Sequence, residues 1–143
     1  MYERIIIKTC DMRVLVVDDN IIDRRFIKYT LQNHLNICAE SAKDGQEAIS
    51  KIASANYDLV ITDIVMPNIE GIELINSIQS TSPKTKIIAV SGNNPYYLYI
   101  VKKLGINSVY TKPLDVEAFV ANISELQRSF QREKKQKHAS KMI

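Results

Sequence analysis

An α/β fold, a parallel β-sheet covered by helices, is what the sequence predicts. Short apolar runs alternate five times with longer stretches whose apolar residues recur at helical spacing, the pattern of repeated βα units. The central run Tyr57-Asp58-Leu59-Val60-Ile61-Thr62 is apolar without alternation, as in a strand covered on both faces. Polar groups fall at the ends of the runs: Asp18-Asp19 after Val14-Leu15-Val16-Val17, Asp63 after Thr62, Ser91 after Val90, and Lys112 after Thr111.

The elements follow in order. The first strand is expected over 13–17. Asn20 can cap a helix running to about residue 33, with Ile22, Phe26, Ile27 and Leu31 at helical spacing. A second strand is expected over 36–40, and a helix over 44–54 with Ala48, Ile49 and Ile52 turned inward. The third strand spans 57–62 and a helix lies near 70–79. The fourth strand spans 86–90, its helix 95–104, and Gly105 suits the left-handed position that ends that helix. The fifth strand spans 107–111. The last helix starts after Asp115, a good cap, with Val116, Phe119, Val120, Ile123, Leu126 and Phe130 as its apolar stripe. No Gly or Pro follows Pro113 and residues 131–141 are rich in helix formers, so this helix is expected to continue into solvent. The organisation is one domain over 12–130, an extension over 1–11 and a basic tail over 131–143.

At 143 residues the chain is long enough for one core and too short for two ordinary domains. Its 45% hydrophobic and 24% charged content is that of a soluble globular protein. No apolar run approaches the roughly 18 residues of a membrane span, and Ile5-Ile6-Ile7 is too short for a signal-peptide core. The cytoplasm is the expected compartment. Cys10 and Cys38 lack metal-ligand spacing and read as reduced thiols. The net charge of +3 is uneven: from Arg128 onward six Lys/Arg face one acid, and the remainder carries thirteen against fifteen. The basic tail reads as a solvated helix end, since no nucleic-acid-binding pattern accompanies it.

In an open parallel sheet the C-terminal strand ends share one edge, where ligands bind. Adjacent carboxylates at the end of a buried strand repel each other, and such a pair suits a site where a divalent cation or phosphoryl group uses the charge. Three acids, a hydroxyl and an ammonium on one edge therefore describe a site for magnesium and a phosphoryl group. The order Asp18-Asp19, Asp63-x-x-Met66-Pro67, Ser91, Lys112-Pro113 resembles the receiver (CheY-like) domain of two-component response regulators, over roughly residues 12–130. Each element alone is weak; together, each at a strand end of a five-fold βα repeat, they are highly specific.

The resemblance implies a doubly wound sheet of order 2-1-3-4-5, with no DNA-binding domain, as a stand-alone receiver that is a monomer or a phosphorylation-dependent dimer. It implies Asp63 as the phosphoacceptor, fed by a histidine kinase or phosphotransfer protein, and binding to an unidentified target as the output. Mg2+ would be held by Asp19 and Asp63 directly, by Asp18 through water, and by the backbone carbonyl of Val65. Lys112 and Ser91 would meet the phosphoryl group, and Pro113 would follow a cis bond. The chain would be no enzyme beyond its own phosphorylation and dephosphorylation. It departs from the family in placing Val109 where an aromatic switch residue is usual, with Tyr110 one residue on and pointing to the opposite face. Tyr96, Tyr97 and Tyr99 begin the fourth helix and cannot all face the core; with Tyr110 they are the candidate partner face. The haloacid dehalogenase type of aspartyl hydrolase fits less well, because Asp18-Asp19-Asn20 is not its Asp-x-Asp and no cap domain fits the length.

Overall fold

The computed structural model describes residues 12–66, 71–92 and 94–141. Along them alternate β1 (Val14–Val17), α1 (Ile21–Leu35), β2 (Glu40–Ala42), α2 (Gly45–Ser54), β3 (Leu59–Asp63), α3 (Gly71–Thr81), β4 (Lys86–Ser91), α4 (Pro95–Lys103), β5 (Ser108–Thr111) and α5 (Val116–Lys141). The strands form one parallel sheet in the order β2-β1-β3-β4-β5, the expected doubly wound arrangement. The order reverses between β1 and β3, so the crevice beyond their C-terminal ends is the topological switch point.

Period-two alternation sorts the core. Val14, Val16, Ile61, Ile88 and Val90 face one way and pack with Ile27 and Leu31 of α1 and Phe119 and Ile123 of α5. Leu15, Val17, Val60 and Ala89 face the other way, against Ala48 of α2, Leu74, Ile75 and Ile78 of α3 and Val101 of α4. Helices thus cover both faces, which is why β1 and β3 need no polar face. Complete burial of a side chain such as Phe119 contributes about 1.5–3 kcal/mol.

The third strand spans Leu59–Asp63 rather than 57–62, and three further expectations need correction. The second strand is Glu40–Ala42, not 36–40. Asn36 adopts φ 55° and ends α1 in the left-handed region, its N–H returning to the Gln32 carbonyl. Ile37 then sends its N–H to the Leu31 carbonyl and buries its side chain beside α1, so this apolar stretch is a helix terminator. Secondly, Ile22 and Phe26 do not join the inward stripe of α1. Ile27, Thr30 and Leu31 are buried, whereas Ile22, Phe26 and Tyr29 form an outward line at i, i+4, i+7. Thirdly, β5 begins at Ser108, because Asn107 spends its side-chain oxygen on the Ile87 N–H and its own N–H on the Ile87 carbonyl.

Asn20 and Asp44 cap α1 and α2 through their side-chain oxygens. Gly105, at φ 72°, follows α4. Beyond Phe130, α5 runs to Lys141 with exposed residues from Arg132 onward.

Candidate functional site

The C-terminal strand ends gather the predicted groups. The Asp18 N–H continues the sheet ladder to the Ala42 carbonyl, which carries this residue inside, while Asp19 turns out to solvent. Asp18 is buried, and its Oδ1 accepts the Asn20 N–H at 2.9 Å. Asp63 closes β3, with its Oδ1 accepting the amides of Ile64 at 2.7 Å and Val65 at 3.4 Å. Those amides fix the carboxylate against its own loop. Carboxylate oxygens of Asp18, Asp19 and Asp63 lie within 4.8 Å of one another.

Lys112 reaches this cluster from the loop after β5. Its N–H donates to the Ser91 carbonyl at 2.7 Å, tying the two loops together. Its Nζ donates to Asp23 Oδ2 at 2.9 Å, Asp18 Oδ2 at 3.0 Å and Asp63 Oδ2 at 3.4 Å. The Lys112–Pro113 bond is cis, and Ser91 is buried at the end of β4. A cleft of about 170 Å3 adjoins the ammonium, lined by Asp23, Phe26, Ile27, Val90, Pro113 and Leu114.

The electrostatics are unbalanced. Burial pushes the carboxyls of Asp18 and Asp63 above the ordinary aspartate range. Their hydrogen bonds to Asn20, Ile64, Val65 and Lys112 only partly offset this. Burial works against the charged form of Lys112, yet its bonds to Asp23 and Asp18 and the charges of Asp63 and Asp18 prevail and raise its pKa. The like charge of Asp63 adds a smaller upward push on Asp18, behind burial. An all-oxygen donor set with excess negative charge fits a hard divalent cation.

Two residues of the site were not read from the sequence. Asp23 looks like an ordinary acid in the first turn of α1; the signal was its place one turn into the helix that leaves the acid pair. Gly71 starts α3 directly on the Asp63 loop. Its N–H donates to the Ile64 carbonyl at 2.7 Å, and a Cβ there would overlap the Asp63 carbonyl oxygen and lie 2.6 Å from Ile64 Cα. Only glycine permits this approach.

The predicted switch position and partner-face tyrosines are not among the groups that meet Lys112 or Asp63. Val109 packs on the α2–α4 side of the sheet and Tyr110 on the opposite side, its ring edge-on to Phe119 at 5.5 Å and its hydroxyl accepting from Asn122. On α4, Tyr96 and Tyr99 are exposed, while Tyr97 is partly buried. The Val65 side chain is exposed beside Asp63. Pro67 and the segment 1–11 lie outside the described residues, as does Asn93. The α1 line of Ile22, Phe26 and Tyr29, with Ile21 beside it, leaves four large apolar side chains in solvent at the helix that borders the site.

The sequence signature of the response regulator receiver domain matches residues 14–124. This chain belongs to that family. Its order of polar strand ends and its sheet topology are therefore those of a receiver in two-component signalling. The chain is 33% identical over 118 residues to the CAI-1 autoinducer sensor kinase/phosphatase CqsS of Vibrio cholerae, covering 80% of this chain and 17% of that protein. It is 30% identical over 116 residues to the response regulator ArlR of Staphylococcus aureus, covering 81% and 52%. It thus spans about half of ArlR and a smaller share of CqsS. The crystal structure of the chemotaxis protein CheY4 of Vibrio cholerae superposes with a TM-score of 0.70 at 29% identity, over 80% of this receiver and 97% of that chain. Among the described residues of the receiver, no helix is long and apolar enough to cross a membrane.

Proposed function

We propose that Asp63 accepts a phosphoryl group from a phosphohistidine of a histidine kinase or phosphotransfer protein, and that the receiver then changes its binding to a target. The observation that carries this reading is the Lys112 ammonium, held among Asp18, Asp23 and Asp63 at the C-terminal edge of the sheet. One carboxylate oxygen of Asp63 attacks phosphorus in line. The bond from phosphorus to the imidazole nitrogen breaks, and the imidazole keeps that electron pair. The acyl phosphate is later hydrolysed, returning Asp63 and inorganic phosphate. Asp18, Asp19, Asp63 and the carbonyl of Val65 would hold magnesium, which when bound supplies positive charge to the phosphoryl oxygens. The protein's own part is positioning and charge neutralisation, which suffices for a loose phosphoryl-transfer transition state. The Ile64 and Val65 amides orient Asp63, and Lys112 meets the developing charge. Ser91, whose carbonyl accepts the Lys112 amide, would add its hydroxyl to the phosphoryl oxygens.

The exposed α1 line of Ile22, Phe26 and Tyr29 is the docking surface we assign to the donor protein, because Phe26 continues into the cleft beside Lys112. The output surface is assigned to Tyr96 and Tyr99 on α4. Tyr110 is already held by Phe119 and Asn122.

Incubation with magnesium and acetyl phosphate, followed by intact mass, tests the acceptor. One added phosphoryl group is expected on the wild type and none on Asp63→Asn or in chelator. An unmodified wild type, or a modified Asp63→Asn, would contradict the assignment. Phe26→Asp should leave acetyl phosphate labelling intact while slowing transfer from a phosphohistidine protein.

A further inference from the structure

A lysine ammonium has three protons to donate. In this receiver Lys112 directs them at three carboxylates, Asp23 at 2.9 Å, Asp18 at 3.0 Å and Asp63 at 3.4 Å. A phosphoryl oxygen arriving at Asp63 therefore has to displace one of them. The three are not equally easy to leave. The Asp18 side chain is 1% exposed, so a bond broken there leaves a carboxylate shut off from bulk water. Asp63 itself becomes the carrier of the incoming group. The Asp23 side chain is 41% exposed, and water can replace the ammonium as its partner. Asp23 is also outside the cation set of Asp18, Asp19 and Asp63. Its place in the site is toward Lys112 alone, and it makes the shortest of the three bonds.

We infer that Asp23 is a positioning residue for Lys112: it anchors the ammonium at the rim of the site in the unphosphorylated state and gives it up to a phosphoryl oxygen on Asp63. Asp23 thereby holds the resting lysine close enough to arrive quickly, and competes with the phosphoryl group for it. The inference rests on the acceptor role of Asp63 proposed above. It assigns to α1 a direct influence on how tightly the phosphorylated state is held. The rim bond also bridges two segments far apart in sequence, α1 and the loop after β5, so its exchange alters a link between them.

The test uses beryllium fluoride with magnesium as the phosphoryl mimic. Asp23→Asn should tighten mimic binding about 3–10-fold, the scale of one ordinary, partly solvated hydrogen bond removed from the resting state. Asp23→Glu should stay near wild type. Affinity for magnesium alone and the melting temperature should change little in either variant, as a residue outside the cation set requires. An unchanged or weaker mimic affinity in Asp23→Asn overturns the inference. A second readout does not depend on phosphoryl chemistry. In the metal-free protein, NMR of the Lys112 ammonium should show faster proton exchange in Asp23→Asn than in wild type, and equal exchange would likewise overturn it. Should the wild type neither bind the mimic nor accept phosphate, the role of Asp63 fails, while the ammonium exchange still decides the Asp23–Lys112 contact.

Discussion

The two ends of the sheet carry similar charged residues and treat them in opposite ways. At the N-terminal end Arg13 pairs with Glu40 at 2.8 Å, and both side chains are a little under half exposed, within reach of water. Asp58 accepts the Arg13 N–H at 2.7 Å, and the Thr85 hydroxyl donates to the Tyr57 carbonyl. These contacts join β1 to β2 and fasten the segments that lead into β3 and β4. At the C-terminal end Asp18 and Asp63 are buried, Asp19 and Asp23 crowd them, and one lysine serves three of the four. The first arrangement is complete without any ligand, and the second is not. Hydrogen bonding alone does not separate them, because both ends are well bonded. The residual negative charge does, and it locates the end at which a divalent cation has something to neutralise.

The largest way to break this contrast is steric. Gly71→Ala places a methyl group against the Asp63 carbonyl and Ile64, and nothing flexible can yield there. Thermal or urea unfolding should show a loss of about 2–3 kcal/mol, accompanied by slower labelling of Asp63. Next comes the charge itself. In chelator, Asp18→Asn or Asp63→Asn should melt above wild type by about 1 kcal/mol of stability, because each removes a buried acid from an over-charged cluster. The same substitutions should lose most of the stabilisation that magnesium gives the wild type. At the N-terminal end Glu40→Gln should leave the melting temperature essentially unmoved, since exposed pairs contribute little. The smallest effect is spectroscopic. Phosphoryl mimic should shift the ring resonances of Tyr96, Tyr97 or Tyr99 more than those of Tyr110, which Phe119 and Asn122 hold in place.

Much of this was legible in the sequence, for identifiable reasons. The strands that build the site are apolar and end in a polar residue, so Asp18, Asp63, Ser91 and Lys112 announced both the strand and its terminus. The strand Glu40–Ala42 was misplaced because its sequence is polar and small; pairing with Leu15, Val16 and Val17 makes it a strand. The apolar Ile37 beside it drew the assignment, although the left-handed Asn36 had turned the chain. Periodicity could not show which apolar line of α1 faces inward, since Ile27 and Leu31 make one stripe and Ile22, Phe26 and Tyr29 another. Nor could spacing show that Asp18 is buried and Asp19 exposed, or that Asp23 holds Lys112. Those depend on how the α1 cap at Asn20 turns the chain at the end of β1.

The most direct test of the over-charged edge is the melting temperature against pH, in chelator, for wild type and Asp63→Asn. Asp18 and Asp63 have folded pKa values raised above those of the unfolded chain. Their contribution to stability is therefore fully present below the unfolded aspartate pKa and is lost as pH rises through the folded one. Lys112 stays charged throughout this window. The wild type should match Asp63→Asn near about pH 4 and fall progressively below it toward about pH 7, and saturating magnesium should reverse that order. A difference that is independent of pH, or a wild type that is the more stable protein in chelator at neutral pH, would contradict the account.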